Sequence, residues 1–272
     1  MCQNAAREGA RDYYVSGMCG RYTLTADLKK VADRFGAPMP TEDWATCLPP
    51  KYNIAPTQAV IVVGDDGKRY LKPMQWGLIP SWAKDASIGN RMINARVETL
   101  AEKPAFRAAL KKRRCIIPAD GFYEWPTIAK LRQHPRPSGL LTMAFPMTAD
   151  KIAGKMKQPV RIVLKSREPF GFAGLWEHWK SPDGEEILSC TIITTEANEL
   201  LKALHERMPV ILTRDDEAAW LDPKTQDPEK LLPLLKQYPA EELEFYPVSR
   251  DVNSPVVDKA SNIEAITEGA SC

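Results

Sequence analysis

Twenty-three prolines are spread through the 272 residues of this chain, and they constrain its fold more than any other feature. Proline has a fixed φ and no backbone N–H, so it interrupts helices and is excluded from the centre of most strands. The chain therefore favours short strands and long loops over a repetitive helical array. Its length allows a sizeable core, in one large domain or two small ones.

Short β-rich runs and helical patterns are mixed along the chain without a strict βαβ order. Thr25 is the predicted N-cap of a first helix, because apolar residues at helical spacing follow it. Further helices are predicted at Val97–Arg113, Glu196–His205, Asp215–Leu221 and Pro228–Gln237. Strands are predicted at Ala59–Val63, Cys115–Ile117, Leu140–Phe145, Arg161–Leu164, Ile187–Thr194 and Leu243–Val248. This mixture predicts an α+β fold with a bent or barrel-like sheet.

Composition argues against several classes of protein and of site. The six cysteines are scattered, with no CxxC pair and no histidine cluster beside them, which argues against a structural zinc site and a disulfide framework. No apolar run approaches ~18 residues, so no segment is predicted to span a membrane. Residues 1–17 are charged and lack the apolar region of a secretory signal. We expect a cytoplasmic protein, associated with the nucleoid if it is bacterial.

The segment Met18-Cys19-Gly20-Arg21-Tyr22 places a cysteine directly after a methionine at which translation can begin. If synthesis starts at Met18, removal of that methionine leaves Cys19 with a free α-amine beside its thiol. Such an aminothiol condenses with an aldehyde to an imine, and the thiol then closes a thiazolidine ring. The amine titrates near ~8 and the thiol near ~8.5, so a modest change of environment activates either. The alternative for Cys19 is an ordinary small buried residue.

Five other segments are dense in polar and aromatic residues. Four have the composition of loops and the fifth lies at a predicted helix-to-strand junction; they are Tyr52–Thr57, Trp76–Trp82, Asn94–Thr99, Asp120–Trp125 and His205–Pro209. With Phe172–Glu177, Thr191–Asn198 and Val252–Pro255, this ordered set resembles the SOS response-associated peptidase (SRAP) family, abasic-site sensors that crosslink to single-stranded DNA. The resemblance implies a single α+β domain over residues 18–272, with a mostly antiparallel sheet and flanking helices.

The resemblance also implies four catalytic residues. Cys19 matches the N-terminal nucleophile of the family. Glu124 matches its acidic residue, which lies here between two aromatic residues that are expected to raise the carboxyl pKa. His205 matches a histidine that donates or accepts a proton during imine formation, and Asn94 matches an asparagine that holds the cysteine amine and the sugar. Each of the last three also has an alternative interpretation without the family context. Glu124 is then a solvated loop acid, His205 a histidine at a helix C-terminus and Asn94 a turn residue.

Six further residues are candidates for binding DNA. The arginines that match family residues gripping phosphates, where a guanidinium offers bidentate hydrogen bonds, are Arg21, Arg96 and Arg207. Thr194 matches a polar contact near them. Trp82 and Trp125 are candidates to stack or wedge against bases beside the lesion, and core packing is the alternative for each. The basic run Lys111–Arg114 is interpreted as the solvated end of a helix rather than as a DNA contact.

Two stretches depart from the family pattern. Residues 1–17 form an N-terminal extension that the mature protein is expected to lack, either because Met18 is the true first residue or because the chain cleaves itself after Met18. The connection between Trp125 and Gln158 is longer than the usual hairpin and carries six basic residues against one acid, Asp150. This basic insertion, around residues 127–157, either extends a DNA-binding path or is a solvated loop.

The sequence therefore predicts a monomer that binds single-stranded DNA, without metal or organic cofactor, and captures abasic sites as a covalent thiazolidine crosslink. Two alternatives come from other classes. One is a cysteine peptidase acting on other proteins, with Cys19 or Cys115 as a thiolate paired to His205. The other is a non-catalytic reader of single-stranded or modified DNA that uses only the arginines and tryptophans.

Overall fold

A computed structural model describes residues 20–133 and 156–266, and these ranges contain thirteen β-strands and five α-helices. The strands are β1 Tyr22–Leu24, β2 Lys51–Ile54, β3 Ala59–Asp65, β4 Arg69–Trp76, β5 Asn94–Arg96, β6 Arg114–Ala119, β7 Gly121–Glu124, β8 Val160–Leu164, β9 Phe170–Lys180, β10 Glu186–Glu196, β11 Arg207–Pro209, β12 Ile211–Leu212 and β13 Leu243–Pro247. The α-helices are α1 Leu28–Phe35, α2 Arg107–Lys112, α3 Ile128–Gln133, α4 Arg214–Leu221 and α5 Pro228–Leu231. No helix in the two described ranges is both long enough and apolar enough to cross a membrane.

The strands form two sheets. The first has five antiparallel strands in the order β13-β8-β7-β1-β2. In the second, β10 pairs with both β4 and β9, so the path β4-β3-β6-β9-β10 returns to its start and closes a five-stranded barrel. Within this sheet only the pairings of β10 with β4 and with β5 are parallel. The predicted α+β fold with a barrel-like, mostly antiparallel sheet is thereby confirmed.

A common core joins the two sheets. The ring of Tyr22, from the first sheet, meets the rings of Trp76 and Phe172, from the barrel, at centroid distances of 5.3 and 5.8 Å in edge-on geometry. All three side chains are fully buried. Burial of one large apolar side chain contributes roughly 1.5–3 kcal/mol, so these contacts fix β1 firmly against the barrel.

Helix α1 begins two residues later than the sequence indicates. The carboxylate of Asp27 accepts a hydrogen bond from the Lys30 N–H at 2.7 Å and is the N-cap. The predicted cap, Thr25, instead donates from its hydroxyl to the Asp120 carboxylate at 2.7 Å. Thr25 therefore ties the strand–helix connection to Asp120, the residue between β6 and β7, and its assignment as N-cap is wrong.

Two predicted helices are shortened at a proline, and a third is wrong. Residues 97–113 divide into a 3-10 turn and α2, with Pro104 between them, and residues 228–237 divide into α5 and a 3-10 turn that contains Pro233. The predicted helix Glu196–His205 is wrong: β10 continues to Glu196, and one 3-10 turn, Leu201–Ala203, follows. The 3-10 helices are Asp43–Cys47, Ala86–Arg91, Val97–Thr99, Leu201–Ala203, Leu232–Leu234, Ala240–Glu242, Arg250–Asn253 and Ala260–Ile263.

The predicted strands lie in β3, β6, β8, β10 and β13, except Leu140–Phe145, which falls outside the described residues together with most of the basic insertion. The segment Asp120–Trp125, read as a loop, contains strand β7. The basic run was also misread at one position. Arg114 is 6% exposed, and its guanidinium donates to the carbonyls of Trp220 and Asp222 at 2.6 Å, so it holds α4 against the barrel.

Candidate active site

Glu124 is a buried carboxyl group at the end of β7, where it pairs with Val160 of β8. It is 7% exposed, and its Oε1 atom has no hydrogen-bond partner among the described residues. Burial raises its pKa to about 8, although a hydrogen bond from the Trp125 N–H and the charge of Lys157 act in the opposite direction. Glu124 is therefore mostly a neutral carboxylic acid at pH 7, and the reading as a solvated loop acid is wrong.

Strand β1 runs beside Glu124. Tyr22 pairs with Phe122, and the Tyr123 N–H donates to the Arg21 carbonyl at 3.0 Å. Counting one residue further in the same antiparallel register brings Gly20 level with Glu124. Cys19 lies outside the described residues, but a single peptide bond joins it to Gly20.

The C-terminal segment around residue 253 holds two of the predicted DNA-binding side chains. Arg21 Nη1 donates to Asn53 Oδ1 at 2.9 Å and to the Val252 carbonyl at 2.8 Å. Trp125 Nε1 donates to Asn253 Oδ1 at 2.7 Å. Burial also lowers the pKa of Arg21. Both side chains are thus fixed by protein contacts, and their contact with DNA stays a prediction.

A second group of predicted residues comes together on three neighbouring strands. Asn94 and Arg96 of β5 pair with residues 192 and 194 of β10, and Arg207 of β11 pairs with Glu196 of β10. Arg96 is exposed and Asn94 half-buried. Thr194 is 1% exposed, and its carbonyl accepts a hydrogen bond from Arg207 Nη2 at 2.7 Å. Thr194 therefore supports Arg207, and direct contact between Thr194 and DNA stays a prediction.

Arg207 is paired with Glu98, which sequence reasoning missed. Nη1 and Nη2 of Arg207 donate to the two carboxylate oxygens of Glu98 at 2.5 and 3.0 Å. This hydrogen-bonded pair holds the pKa of Glu98 below its ordinary value. The only signal in the sequence was that Glu98 belongs to the polar segment Asn94–Thr99. Asn53 and Asn253, which were also missed, likewise lie in segments singled out from the sequence.

His205 is half-buried next to this group. Its Nδ1 accepts a hydrogen bond from the Arg207 N–H at 3.0 Å, which assigns the ring proton to Nε2 in the neutral form. Burial lowers the pKa of His205, and the positive charges of Lys130 and Arg207 act in the same direction. His205 is therefore a neutral imidazole at pH 7.

One packing contact and one electrostatic influence connect the surroundings of Glu124 with those of His205. The Trp76 ring packs on Tyr22 of β1, and its Nε1 donates at 2.9 Å to the carbonyl of Ile93, the residue before Asn94. Lys130 of α3, which follows Glu124 closely in the chain, lies near enough to His205 to affect its pKa. Residues near the predicted acid and the predicted base, Phe122 and Leu204, belong to the same hydrophobic core.

Trp82 is the most accessible of the predicted aromatic contacts. Its side chain is 59% exposed, so core packing does not explain it. The chain next to it is held in place, because Trp179 Nε1 donates to the Ala83 carbonyl at 2.7 Å. Trp125 is half-buried and tilted against Tyr123, with ring centroids 6.3 Å apart. Trp82 therefore presents a free aromatic face to solvent, whereas Trp125 is partly packed.

The alternative nucleophile Cys115 is a core residue. It is completely buried, and burial raises the pKa of its thiol well above the ordinary value. A thiolate at this position is neither formed at neutral pH nor reachable by a peptide. Within the described ranges, no three His, Cys, Asp or Glu side chains are grouped so as to hold a metal ion.

Comparison with known proteins places this site in a family. A family model described as SOS response associated peptidase (SRAP) matches residues 18–255. Abasic site processing protein YoqW of Bacillus subtilis strain 168 is 43% identical over 251 residues, covering 91% of this chain and 100% of the relative. Abasic site processing protein HMCES of Rattus norvegicus is 31% identical over 224 residues, covering 75% of this chain and 62% of the relative.

The fold has a solved counterpart. The crystal structure of a protein from Bacteroides thetaiotaomicron has a TM-score of 0.75 and 27% identity to this chain, covering 92% of it and 100% of the other. The match of fold agrees with the match of sequence over nearly the same length. This chain belongs to the SOS response associated peptidase (SRAP) family.

Proposed function

We propose that this protein captures abasic sites in single-stranded DNA through a thiazolidine formed by the α-amine and thiol of Cys19. The observation that carries the proposal is the neutral, buried carboxyl of Glu124. The strand register places Glu124 level with Gly20, and Gly20 is the residue that follows Cys19 in the chain. Both relatives are named abasic site processing proteins, which supports the same substrate. The family match, which begins at residue 18, is compatible with a mature chain that starts at Cys19.

The reaction is a condensation that releases one water. The ring-opened deoxyribose exposes an aldehyde, and the amine of Cys19 adds to its carbonyl carbon to give a carbinolamine. The hydroxyl of that intermediate takes a proton and leaves as water, which gives an imine. The thiol sulfur then bonds to the imine carbon, and the thiol proton ends on the ring nitrogen. No redox partner is required.

Glu124 and His205 have the protonation states that these steps need. Glu124 keeps its proton near neutrality because its pKa is about 8, so it can donate that proton to the departing hydroxyl. His205 is neutral because burial lowers its pKa, so it can accept the thiol proton. Opposite displacements of two pKa values are the usual way in which a site divides acid and base roles.

The same site suits removal of residues that precede Cys19. If a longer chain is made, hydrolysis of the Met18–Cys19 peptide bond consumes one water and frees the amine on which the crosslink depends. Glu124 supplies a proton to the leaving amine in this step. We therefore expect the mature protein to begin at Cys19, and self-processing to share Glu124 with the crosslinking reaction.

The decisive experiment blocks the amine and leaves the thiol intact. The mature protein, beginning at Cys19, is incubated with a single-stranded oligonucleotide carrying one abasic site and then denatured without reductant. We expect a covalent adduct, because thiol closure converts a hydrolysable imine into a saturated ring. One glycine added before Cys19 should abolish the adduct, and Cys19→Ser should give a less durable one.

Each rival hypothesis has its own outcome. A cysteine peptidase or a non-catalytic DNA reader gives no adduct with the unmodified chain. An adduct that survives the added glycine points to an internal nucleophile such as a lysine, and it overturns the thiazolidine mechanism. N-terminal sequencing of the crosslinking-competent protein checks the start. An intact Met1 there also contradicts the proposal.

A further inference from the structure

The guanidinium of Arg207 already holds an anion in this structure. Its Nη1 and Nη2 atoms face the two oxygens of Glu98 at 2.5 and 3.0 Å, in the parallel geometry that a guanidinium also uses for two phosphate oxygens. Its Nε atom is buried. A phosphate approaching from solvent therefore reaches the two Nη atoms, which are the atoms that Glu98 occupies.

The two partners of this pair differ in exposure. The Arg207 side chain is 13% exposed, whereas that of Glu98 is 45% exposed. Arg207 Nη2 also donates a hydrogen bond to the Thr194 carbonyl at 2.7 Å, and that carbonyl belongs to the backbone of β10. Glu98 can thus rotate into solvent while the guanidinium stays in place. The arrangement is that of a fixed anion receptor with a displaceable carboxylate.

We propose that Glu98 competes with a DNA phosphate for Arg207, so that binding of a single strand exchanges the carboxylate for a phosphate. This inference rests on the proposed function, since it takes single-stranded DNA as the ligand. Glu98 then weakens binding of every single strand, damaged or not. A strand without an abasic site dissociates readily, and a strand with one is retained by the covalent bond.

Substitution of Glu98 tests the competition. Glu98→Gln removes the charge and keeps the size, so affinity for an undamaged single strand should rise roughly tenfold, as expected for one charge contact. The slope of log K against log salt should steepen by less than about 0.7, the value for a whole phosphate contact on a single strand, because the phosphate lies on Arg207 in both complexes and only the salt-sensitive Glu98–Arg207 pair is lost. Glu102→Gln is the matched control, because it removes one exposed acid near Glu98. It should change the affinity and the salt slope only by the small amount that follows from one unit of net charge.

A double-substitution cycle assigns the effect to Arg207. In an Arg207→Gln background, Glu98→Gln should no longer increase affinity, because the contested receptor is gone. A spectroscopic readout is independent of affinity. The carboxyl carbon of Glu98, followed by NMR, should titrate at a higher pH when undamaged single-stranded DNA is bound, since the pKa of Glu98 is lowered by Arg207 only while the two are paired.

Three results overturn the inference. Weaker binding by Glu98→Gln makes Glu98 a positioning residue for Arg207. If Glu98→Gln does not change the affinity and DNA does not change the titration of Glu98, the phosphate binds elsewhere. If the wild type nevertheless forms the crosslink, the competition fails but the proposed function stands. A wild-type protein that neither binds single strands nor forms the crosslink overturns the proposed function, and the competition falls with it.

Discussion

Two buried glutamates, Glu124 and Glu217, have opposite surroundings. Glu217 lies on α4 with its side chain 4% exposed, and both of its oxygens accept hydrogen bonds from Arg34 of α1, at 2.7 and 2.9 Å. Glu124 is buried to a similar extent, but its Oε1 has no partner among the described residues and its pKa is raised to about 8.

The difference shows what burial does to a carboxyl group. A guanidinium within hydrogen-bond distance compensates the loss of water, so Glu217 joins α1 to α4 as an ion pair. Without such a partner, the group keeps its proton instead. The same residue type is therefore an ion-paired structural link in one place and a protonated acid in the other, and the presence of one arginine decides between them.

The largest expected effect is on the rate of crosslinking. Glu124→Gln should slow adduct formation by ~10²–10⁴, because the amide cannot donate a proton as an acid does. Glu217→Gln should leave the rate within a few-fold, provided that the protein is assayed well below its unfolding temperature. Adduct formation is followed by denaturing electrophoresis over time. Equal rates for wild type and Glu124→Gln would make Glu124 a purely structural residue.

The next effect, on stability, should have the reverse order. Glu217→Gln leaves the buried Arg34 charge without its counterion and should lower the free energy of unfolding by about 3 kcal/mol. Glu124→Gln replaces a neutral acid by a neutral amide and should change it far less at pH 5, which is close to the ordinary pKa of the carboxyl in the unfolded chain. Urea denaturation monitored by tryptophan fluorescence measures both. A larger loss for Glu124→Gln than for Glu217→Gln would contradict the comparison.

The smallest effect, taken per pH unit, is a dependence of stability on pH. The Glu124 carboxyl titrates near 4.5 in its ordinary state and at about 8 in the folded protein. Between these two pH values the folded state binds one proton more than the unfolded state. The contribution of Glu124 to the free energy of unfolding is therefore fully present below pH 4.5 and is lost as the pH rises to about 8. The free energy of unfolding should fall by up to ~1.4 kcal/mol per pH unit across this window.

Glu124→Gln removes the titrating group, so the difference in unfolding free energy between wild type and variant isolates its contribution. From pH 5 to pH 8 the wild type should lose stability relative to Glu124→Gln. Urea titrations at intervals of one pH unit provide the measurement. A difference that stays constant over this range would show that Glu124 is ionised in the folded state and would contradict its raised pKa.

Strands with a run of β-branched or neighbouring aromatic residues were predictable, and most others were not. β3, β6, β8 and β10 each contain a run of β-branched residues, and β13 contains Phe245 and Tyr246, so their prediction needs only local preference. β9 was missed because it carries two glycines that a local pattern reads as breaks. A Cβ on Gly171 would lie 2.3 Å from Ile116 Cγ2 of the adjacent strand, so glycine is required there by close packing.

The sequence by itself determined the family and the chemical types in the site, because the motifs are local and their order along the chain is specific. The tertiary structure alone decided the state of each group. Glu98 and Arg207 are 109 residues apart, and Arg34 and Glu217 are 183 apart, so no local pattern reports either pairing. Protonation depends on burial and on charges a few ångströms away in space. Those distances exist only once the two sheets have packed around one core.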